Sequence, residues 1–164
     1  MNNTDYTYSQ TDFSHQDLSG QIFTQCKFYC CSFKRANLRD TQFIDCVFIE
    51  PGAIEGCDFS YSDLRDASFK QCRISMSSFK GANCFGVELR DCDLKGADFA
   101  QASFVNHVSN KMYFCSAYIT GCNLSYVNFE KQCIEKCDLF ENRWIGANLR
   151  GASFKESDLS RGVF

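Results

Sequence analysis

A period of five residues runs through this chain and constrains its fold more than any other feature. Large apolar residues recur at every fifth position, and a small residue or valine stands two positions before most of them. Between residues 54 and 104 these central positions are Ile54, Phe59, Leu64, Phe69, Ile74, Phe79, Cys84, Leu89, Leu94, Phe99 and Phe104. A period of five is neither 3.6 nor 2, so it matches neither an amphipathic helix nor a simple strand. The chain is therefore built from internal repeats, which decide its architecture.

The same five-residue spacing runs from Phe13 to Phe48 and from Phe114 to Phe164. All nine leucines and fifteen of the seventeen phenylalanines occupy the central position of a repeat. A chain of 164 residues is large enough to bury one core. We therefore predict a single domain over residues 1–164, with regular repeats over about 11–164.

Cysteine usage and the chain's polar N-terminus bear on its location. Eight of the twelve cysteines occupy the small-residue position of a repeat: Cys26, Cys31, Cys46, Cys57, Cys72, Cys92, Cys122 and Cys137. A thiol at such a position behaves as a compact buried hydrophobe, so we expect reduced, structural cysteines and no metal. The sequence shows no run of 18 apolar residues and no secretory signal, which predicts a cytoplasmic protein that does not span a membrane.

Motifs for catalysis are missing from the sequence. It contains no glycine-rich phosphate loop, no nucleophile elbow and no paired-histidine metal motif. We expect no enzymatic activity, no catalytic residue and no cofactor. Basic residues are interleaved with acidic ones and the net charge is -3, which argues against direct binding of nucleic acid.

The repeats share a fixed order of residue types: a small residue, then Asp or Asn, then a large apolar residue, then two polar positions. Ala97-Asp98-Phe99-Ala100-Gln101 is one example. This order resembles the pentapeptide repeat family, and the resemblance implies an all-β fold, a right-handed quadrilateral β-helix with about twenty residues per coil. Phe28 is then expected to stack on Phe48, and Cys26 on Cys46, at the spacing of about 4.8 Å of a strand ladder. The Asp and Asn residues suit corner turns, because their side chains bond nearby backbone N–H groups.

The repeat is first interrupted between Phe48 and Phe59, which are eleven residues apart. This interval contains the only proline, and Pro with Gly punctuates regular structure, so a loop near residues 49–56 is predicted. We call its central residues loop A: Glu50, Pro51, Gly52, Ala53, Ile54 and Glu55.

The second interruption keeps the numerical phase but loses the order of small and large residues. We call it loop B: Val105, Asn106, His107, Val108, Ser109, Asn110, Lys111, Met112, Tyr113, Phe114, Cys115 and Ser116. This segment is interpreted as an exposed loop, with a degenerate coil that still packs as the alternative. Phe114 is in phase, so the sequence leaves open whether it points inward or lies on the loop.

Longer strings resemble the Qnr proteins within the pentapeptide repeat family. They include 113–119 (YFCSAYI), 123–126 (NLSY), 141–146 (ENRWIG) and 92–99 (CDLKGADF). The resemblance implies a protein that binds the type II topoisomerases DNA gyrase and topoisomerase IV and protects them from quinolones. It also implies two loops that project from the β-helix, which makes loops A and B the candidate partner-binding sites, and further coils with a C-terminal dimerisation helix. Because this chain stops at Phe164, we expect its C-terminal end to be dimerised or covered by residues beyond it.

Two alternatives concern how such a protein works. A structural or scaffold solenoid that contacts other proteins needs no loops, whereas DNA mimicry needs a strongly acidic surface. Nearly eight coils span about 37 Å at the ladder spacing, over which duplex DNA carries about 22 charges. A net charge of -3 is far weaker, so loop contacts are expected to supply much of the specificity. Counting repeats between loops A and B predicts that they leave the same or adjacent sides of the β-helix.

Overall fold

The computed structural model describes residues 2–164, which wind into a right-handed β-helix with four sides. Each coil lies parallel to the next, so Phe23 pairs with Phe43 and Phe43 pairs with Phe69. The first step is the twenty residues of a plain coil, and the second is longer because loop A lies within it. Each coil cannot bury its apolar side chains alone, so stacking on its neighbours creates the core.

Within residues 2–164 the strands are short and no helix is present. The strands are β1 (Asn2–Thr4), β2 (Thr7–Ser9), β3 (Ile22–Thr24), β4 (Lys27–Tyr29), β5 (Gln42–Ile44), β6 (Ser68–Lys70), β7 (Val87–Arg90), β8 (Val105–Ser109), β9 (Met112–Cys115) and β10 (Ala117–Thr120). One side of the β-helix is a parallel sheet in the order β1-β3-β5-β6-β7-β10. A second parallel pair is β2-β4, and β8 and β9 form a separate antiparallel pair. The other sides are linked by single bridges between coils.

Phenylalanine rings fill the core in columns, as the sequence predicts. Phe28 stacks on Phe48 with ring centroids 5.0 Å apart, and Phe79 stacks on Phe99 at 4.6 Å. Rings from different sides meet edge to face, as Phe48 and Phe59 do at 5.4 Å. Both geometries are favoured by aromatic pairs, so each ring gains contacts along the axis and across it.

Cysteine fills the small-residue position because its thiol packs and also donates a hydrogen bond. Cys46 donates to the carbonyl of Phe23 at 3.4 Å, and Cys72 donates to that of Phe43 at 3.3 Å. Nine of the twelve cysteines are buried, as expected for structural thiols. In a later coil Asn142 takes this position, where its amide nitrogen donates to two carbonyls and its oxygen accepts from the N–H of Cys122 at 2.8 Å. The position therefore accepts a small or compact side chain that satisfies the backbone around it.

The corners of the coils are turns with left-handed backbone. Twenty non-glycine residues have positive φ, each two positions after a central residue, and none of them is Val, Ile or Thr. The preceding Asp or Asn caps the turn: Asp58 accepts from the N–H of Ser60 at 2.8 Å, and Asp98 accepts from that of Ala100 at 2.9 Å. Asp98 also accepts from the Asn128 amide of the next coil at 2.9 Å. The predicted corner role of these polar residues is confirmed.

Ile54 and Phe114 are exposed although both keep the numerical phase of the repeat, and the coils begin earlier than the sequence predicts. Ile54 is 81% exposed on loop A and is not a core residue, although it lies five residues before Phe59. At the N-terminus the coils begin earlier than residue 11, because β1 pairs with β3 and Tyr8 stacks on Phe28. Phe114 lies on β9 and is 56% exposed, so its side chain lies on the loop and not in the core.

No helix in residues 2–164 is long and apolar enough to cross a membrane.

Candidate protein-binding site

Loop A leaves the coil after Phe48 and returns at Cys57. A turn closes it, with the N–H of Ala53 donating to the carbonyl of Glu50 at 3.0 Å, and Gly52 adopts a φ of +81°. Glu50 to Gly52, Ile54 and Glu55 are exposed, while Ala53 is half-buried. Loop A therefore presents one large apolar side chain, Ile54, between two carboxylates.

Loop B is a hairpin rather than a degenerate coil. Strands β8 and β9 pair with each other alone, matching Val105 to Cys115 and His107 to Tyr113, with an irregularity before Ser109. The two ends meet at the coil, where the N–H of Ser116 donates to the carbonyl of Phe104 at 3.1 Å. Because β8 and β9 pair with each other, their backbone N–H and C=O groups are satisfied outside the ladder of the coils.

The hairpin exposes a group of large apolar side chains. Val108 is 61% exposed, Met112 53%, Tyr113 46% and Phe114 56%. Side chains of this type are enriched at protein interfaces, and an exposed cluster of them marks a contact site. The hairpin is therefore the stronger of the two candidate binding elements.

One carboxylate fixes the hairpin against the coils that follow it. The Tyr113 hydroxyl donates to Glu135 Oε2 at 3.0 Å, and the Ser153 hydroxyl donates to Glu135 Oε1 at 2.5 Å. These two hydrogen bonds hold the pKa of Glu135 below its ordinary value, and the same bond to Glu135 raises the pKa of Tyr113. A cleft of about 380 Å³ lies between the hairpin and these coils, with Lys136 and Lys155 on its walls.

The sides of the β-helix locate loop A. In one coil the four sides carry Phe43, Phe48, Phe59 and Leu64 in order, and we number them one to four. Loop A connects Phe48 to Phe59, so it leaves the corner between sides two and three. Six residues are added there to the plain five-residue step.

Loop B lies at the diagonally opposite corner. It connects Phe104, which belongs to side four, to Ile119, which belongs to side one. The prediction that the two loops leave the same or adjacent sides is therefore wrong. The count of repeats fails because residues within an exposed loop do not advance the chain around the coil.

Some residues of the site have no signal in the sequence. Glu135, Ser153 and Lys136 occupy ordinary outward positions of regular repeats, and only their place beside the hairpin sets them apart. No three His, Cys, Asp or Glu side chains among residues 2–164 cluster closely enough to hold a metal ion.

Comparison with known proteins supports the β-helical fold and identifies the family to which the chain belongs. A family model described as "Pentapeptide repeat region" matches residues 21–99, and one described as "Pentapeptide repeats (8 copies)" matches residues 133–164. The solved full-length structure of QnrB1, described as a plasmid-mediated fluoroquinolone resistance protein, superposes with a TM-score of 0.90. It is 41% identical to this chain, and the match covers 99% of this chain and 76% of QnrB1. The chain belongs to the Qnr family of pentapeptide repeat proteins.

Curated relatives point to the same family. The pentapeptide repeat protein QnrB4 of Escherichia coli is 47% identical over 154 residues, covering 90% of this chain and 60% of QnrB4. The quinolone resistance protein QnrB96 of Scandinavium goeteborgense is 49% identical over 122 residues, covering 74% of this chain and 57% of QnrB96. The pentapeptide repeat protein VPA0095 of Vibrio parahaemolyticus is 60% identical over 79 residues, covering 48% of this chain and 37% of VPA0095. This member of the Qnr family thus spans 37% to 60% of the length of these relatives.

Proposed function

We propose that this chain binds the type II topoisomerases DNA gyrase and topoisomerase IV in the cytoplasm and protects them from quinolones. Two similar proteins, QnrB96 and QnrB1, are named for resistance to quinolones or fluoroquinolones. The exposed apolar side chains of loops A and B support a binding role. The protein acts by occupying a surface of its partner, not by chemistry on the drug.

The observation that carries this proposal is the exposed apolar hairpin on a rigid support. Val108, Met112, Tyr113 and Phe114 are held away from the coils by β8 and β9, and Glu135 fixes the hairpin to the scaffold. Binding residues concentrate on loops that a rigid scaffold positions. An anchored hairpin loses less conformational entropy on binding than a flexible one. More of the free energy of its contacts therefore contributes to affinity.

The opposite placement of the loops shapes how a topoisomerase is bound. A flat partner surface cannot reach two diagonally opposite corners of the β-helix at once. Loops A and B therefore contact separate surfaces of the partner, which embraces the β-helix or meets it in a cleft. Loop A contributes less, because it is shorter and offers a single large apolar side chain in Ile54.

Deleting each loop in register tests this proposal. Removing residues 106–115 restores a five-residue step between Phe104 and Ile119, and removing residues 50–55 restores it between Phe48 and Phe59. Both deletions leave the central residues of every coil in place, so circular dichroism should report an intact β-helix. Supercoiling by gyrase in the presence of a quinolone is then measured with each variant added.

We expect the 106–115 deletion to abolish protection and the 50–55 deletion to weaken it. Full protection by a folded 106–115 deletion would move the contact to the faces of the coils. If the undeleted chain neither binds gyrase nor protects it, the result would favour the alternative of a scaffold solenoid that contacts another protein.

A further inference from the structure

Two cysteines at the base of the hairpin stand apart from the other ten. Cys115 is the last residue of β9, and Cys133 precedes Ile134 in the next coil. Their sulfur atoms lie 3.5 Å apart, and both residues are half-exposed. The Cys115 thiol also lies 3.6 Å from the Cys133 carbonyl. These are two thiols in contact with each other and with solvent.

The remaining cysteines lack this combination. Nine are buried, and thiols such as Cys46 and Cys92 donate to carbonyl oxygens of the preceding coil. Burial also raises the pKa of the Cys84 thiol, which keeps it protonated and inert. Cys30 is exposed but has no second thiol within hydrogen-bond distance among residues 2–164. Within residues 2–164, Cys115 and Cys133 are thus the pair that combines contact between two sulfur atoms with exposure to solvent.

We propose that Cys115 and Cys133 are an oxidative modification site, at which hydrogen peroxide converts the two thiols into an intramolecular disulfide. A disulfide has sulfur atoms about 2.05 Å apart, so the two atoms must approach by about 1.5 Å. The pair already lies in contact across the base of the hairpin, and rotation of two half-exposed side chains supplies a movement of that size. This inference does not rest on the proposed binding of topoisomerases.

The chemistry proceeds in two balanced steps. The Cys115 thiolate attacks one oxygen of hydrogen peroxide and breaks the O–O bond, which gives a sulfenic acid on Cys115 and, after protonation of the leaving hydroxide, one water. The Cys133 sulfur then attacks the Cys115 sulfur, and the hydroxyl leaves with the Cys133 proton as a second water. Two electrons pass from the thiol pair to the peroxide.

The surroundings assign the two roles. Partial burial, the contact with Cys115 and the nearby charge of Glu135 raise the pKa of Cys133 to about 12. Cys133 is therefore a poor first nucleophile, and we assign the first attack on the peroxide to Cys115. Cys133 is the resolving partner, since it becomes reactive once the neighbouring sulfur is electrophilic.

The disulfide would give the hairpin a covalent anchor beside the existing hydrogen bond between Tyr113 and Glu135. Cys115 ends the second strand of the hairpin, whereas Cys133 belongs to the coil that also carries Glu135. Oxidation therefore fixes the hairpin against the coil without displacing it. We expect the oxidised chain to resist proteolytic cleavage within residues 106–114 more than the reduced chain does.

Peptide mapping of the full chain tests the proposal. The reduced protein is treated with hydrogen peroxide, alkylated while unfolded, digested without reductant and analysed by mass spectrometry. We expect a cross-linked peptide pair containing Cys115 and Cys133, with the buried cysteines alkylated. Cys30→Ser serves as the matched control, because it removes an exposed thiol and should leave the cross-link unchanged.

Single variants separate the roles of the two thiols. In Cys133→Ser the sulfenic acid on Cys115 cannot be resolved, so dimedone should label Cys115, while Cys115→Ser should give no dimedone label at Cys133. Both variants should also lose the peroxide-induced resistance to proteolysis. Recovery of Cys115 and Cys133 as free thiols at a peroxide dose that oxidises Cys30 would overturn the proposal, as would a bond from either to another cysteine.

Discussion

Tyr113 and Glu135 join the hairpin to the following coil through one hydrogen bond of 3.0 Å. The two residues are 22 positions apart, so the bond links an element outside the repeat to a residue within it. Glu135 is itself held by Ser153 of the coil beyond. The orientation of the hairpin therefore depends on two coils on its C-terminal side.

Removing the Tyr113 hydroxyl should weaken protection without unfolding the chain. In Tyr113→Phe the ring remains but the bond to Glu135 is lost, so the hairpin samples more orientations. We expect about two- to fivefold more protein to be needed for half-maximal protection of gyrase, the range for a single exposed hydrogen bond. Tyr118→Phe is the matched control, because Tyr118 is similarly exposed and its hydroxyl makes no hydrogen bond within residues 2–164. Equal losses in both variants would rule out an anchoring role.

Acid should release the hairpin through Glu135. Its pKa is lowered in the folded chain by the hydrogen bonds from Ser153 and Tyr113, so the anchor is complete above the ordinary glutamate pKa of about 4.3. It is lost as the pH falls through the lowered pKa. We expect the ring resonances of Tyr113 in NMR spectra to move in this acid range.

Glu135→Gln supplies the control for the acid titration. The glutamine oxygen still accepts from Tyr113 but does not titrate, so the Tyr113 resonances should stay fixed over the same acid range. The buried Phe69 ring reports on the core, and its resonances should not move in either protein. An identical titration of Tyr113 in the variant would assign the effect to another group.

A buried phenylalanine ring of the core should contribute far more to the free energy of unfolding than an exposed ring of the hairpin. Phe69 is fully buried and stacks on Phe43 at 4.8 Å, whereas Phe114 is 56% exposed. Phe69→Ala should lower the free energy of unfolding by about 3–5 kcal/mol, and Phe114→Ala by less than about 1 kcal/mol. Phe69→Asp should cost several kcal/mol more, because it buries an unpaired carboxylate, and should unfold neighbouring coils. Urea denaturation measures all three, and similar midpoints for Phe69→Ala and Phe114→Ala would contradict the assigned core.

Two glycines separate backbone strain from crowding at the corners. Gly20 and Gly146 have φ of +67° and +66°, but a Cβ on Gly146 would lie 2.6 Å from the Tyr126 ring, while one on Gly20 meets nothing within 4 Å. Gly20→Ala should cost about 1 kcal/mol for the left-handed conformation. Gly146→Ala should cost about 0.5–1 kcal/mol more, because Tyr126 must move from its contact with Lys95.

A double variant checks that Tyr126 causes the extra loss. Combining Gly146→Ala with Tyr126→Ala should bring the added cost of the glycine substitution, measured in the Tyr126→Ala background, down to that of Gly20→Ala. Thermal or urea unfolding supplies the comparison. An unchanged cost would place the strain in the backbone alone.

The core could be predicted from the sequence because almost every repeat has a large apolar residue at the same position. Phe59 and Phe79 are twenty residues apart and stack at 4.9 Å, as the coil length requires. The loops could be located by the loss of the repeat, but their corners could not. Ile54 and Phe114 keep the numerical phase by coincidence of loop length, and both are exposed.

The residues that contact the hairpin could not be predicted from the five-residue period. Glu135 is one of many outward carboxylates, and its role follows from where the Tyr113 hydroxyl reaches. Cys133 likewise occupies an outward position of a regular repeat, and only its contact with Cys115 distinguishes it. Periodicity assigns a side chain to the inside or the outside, whereas contacts with an irregular element need coordinates.

The left-handed corners limit how the edges of this protein can diversify. None of the twenty non-glycine residues there is Val, Ile or Thr, since a β-branched side chain with positive φ is a steric outlier. Substitution at these corner positions is therefore restricted mainly to polar, charged or aromatic residues without a branched Cβ. Outward positions on the sides of the coils do not have this restriction. Each coil offers one such residue per edge. Selection can therefore alter how an edge is recognised one coil at a time, without disturbing the core.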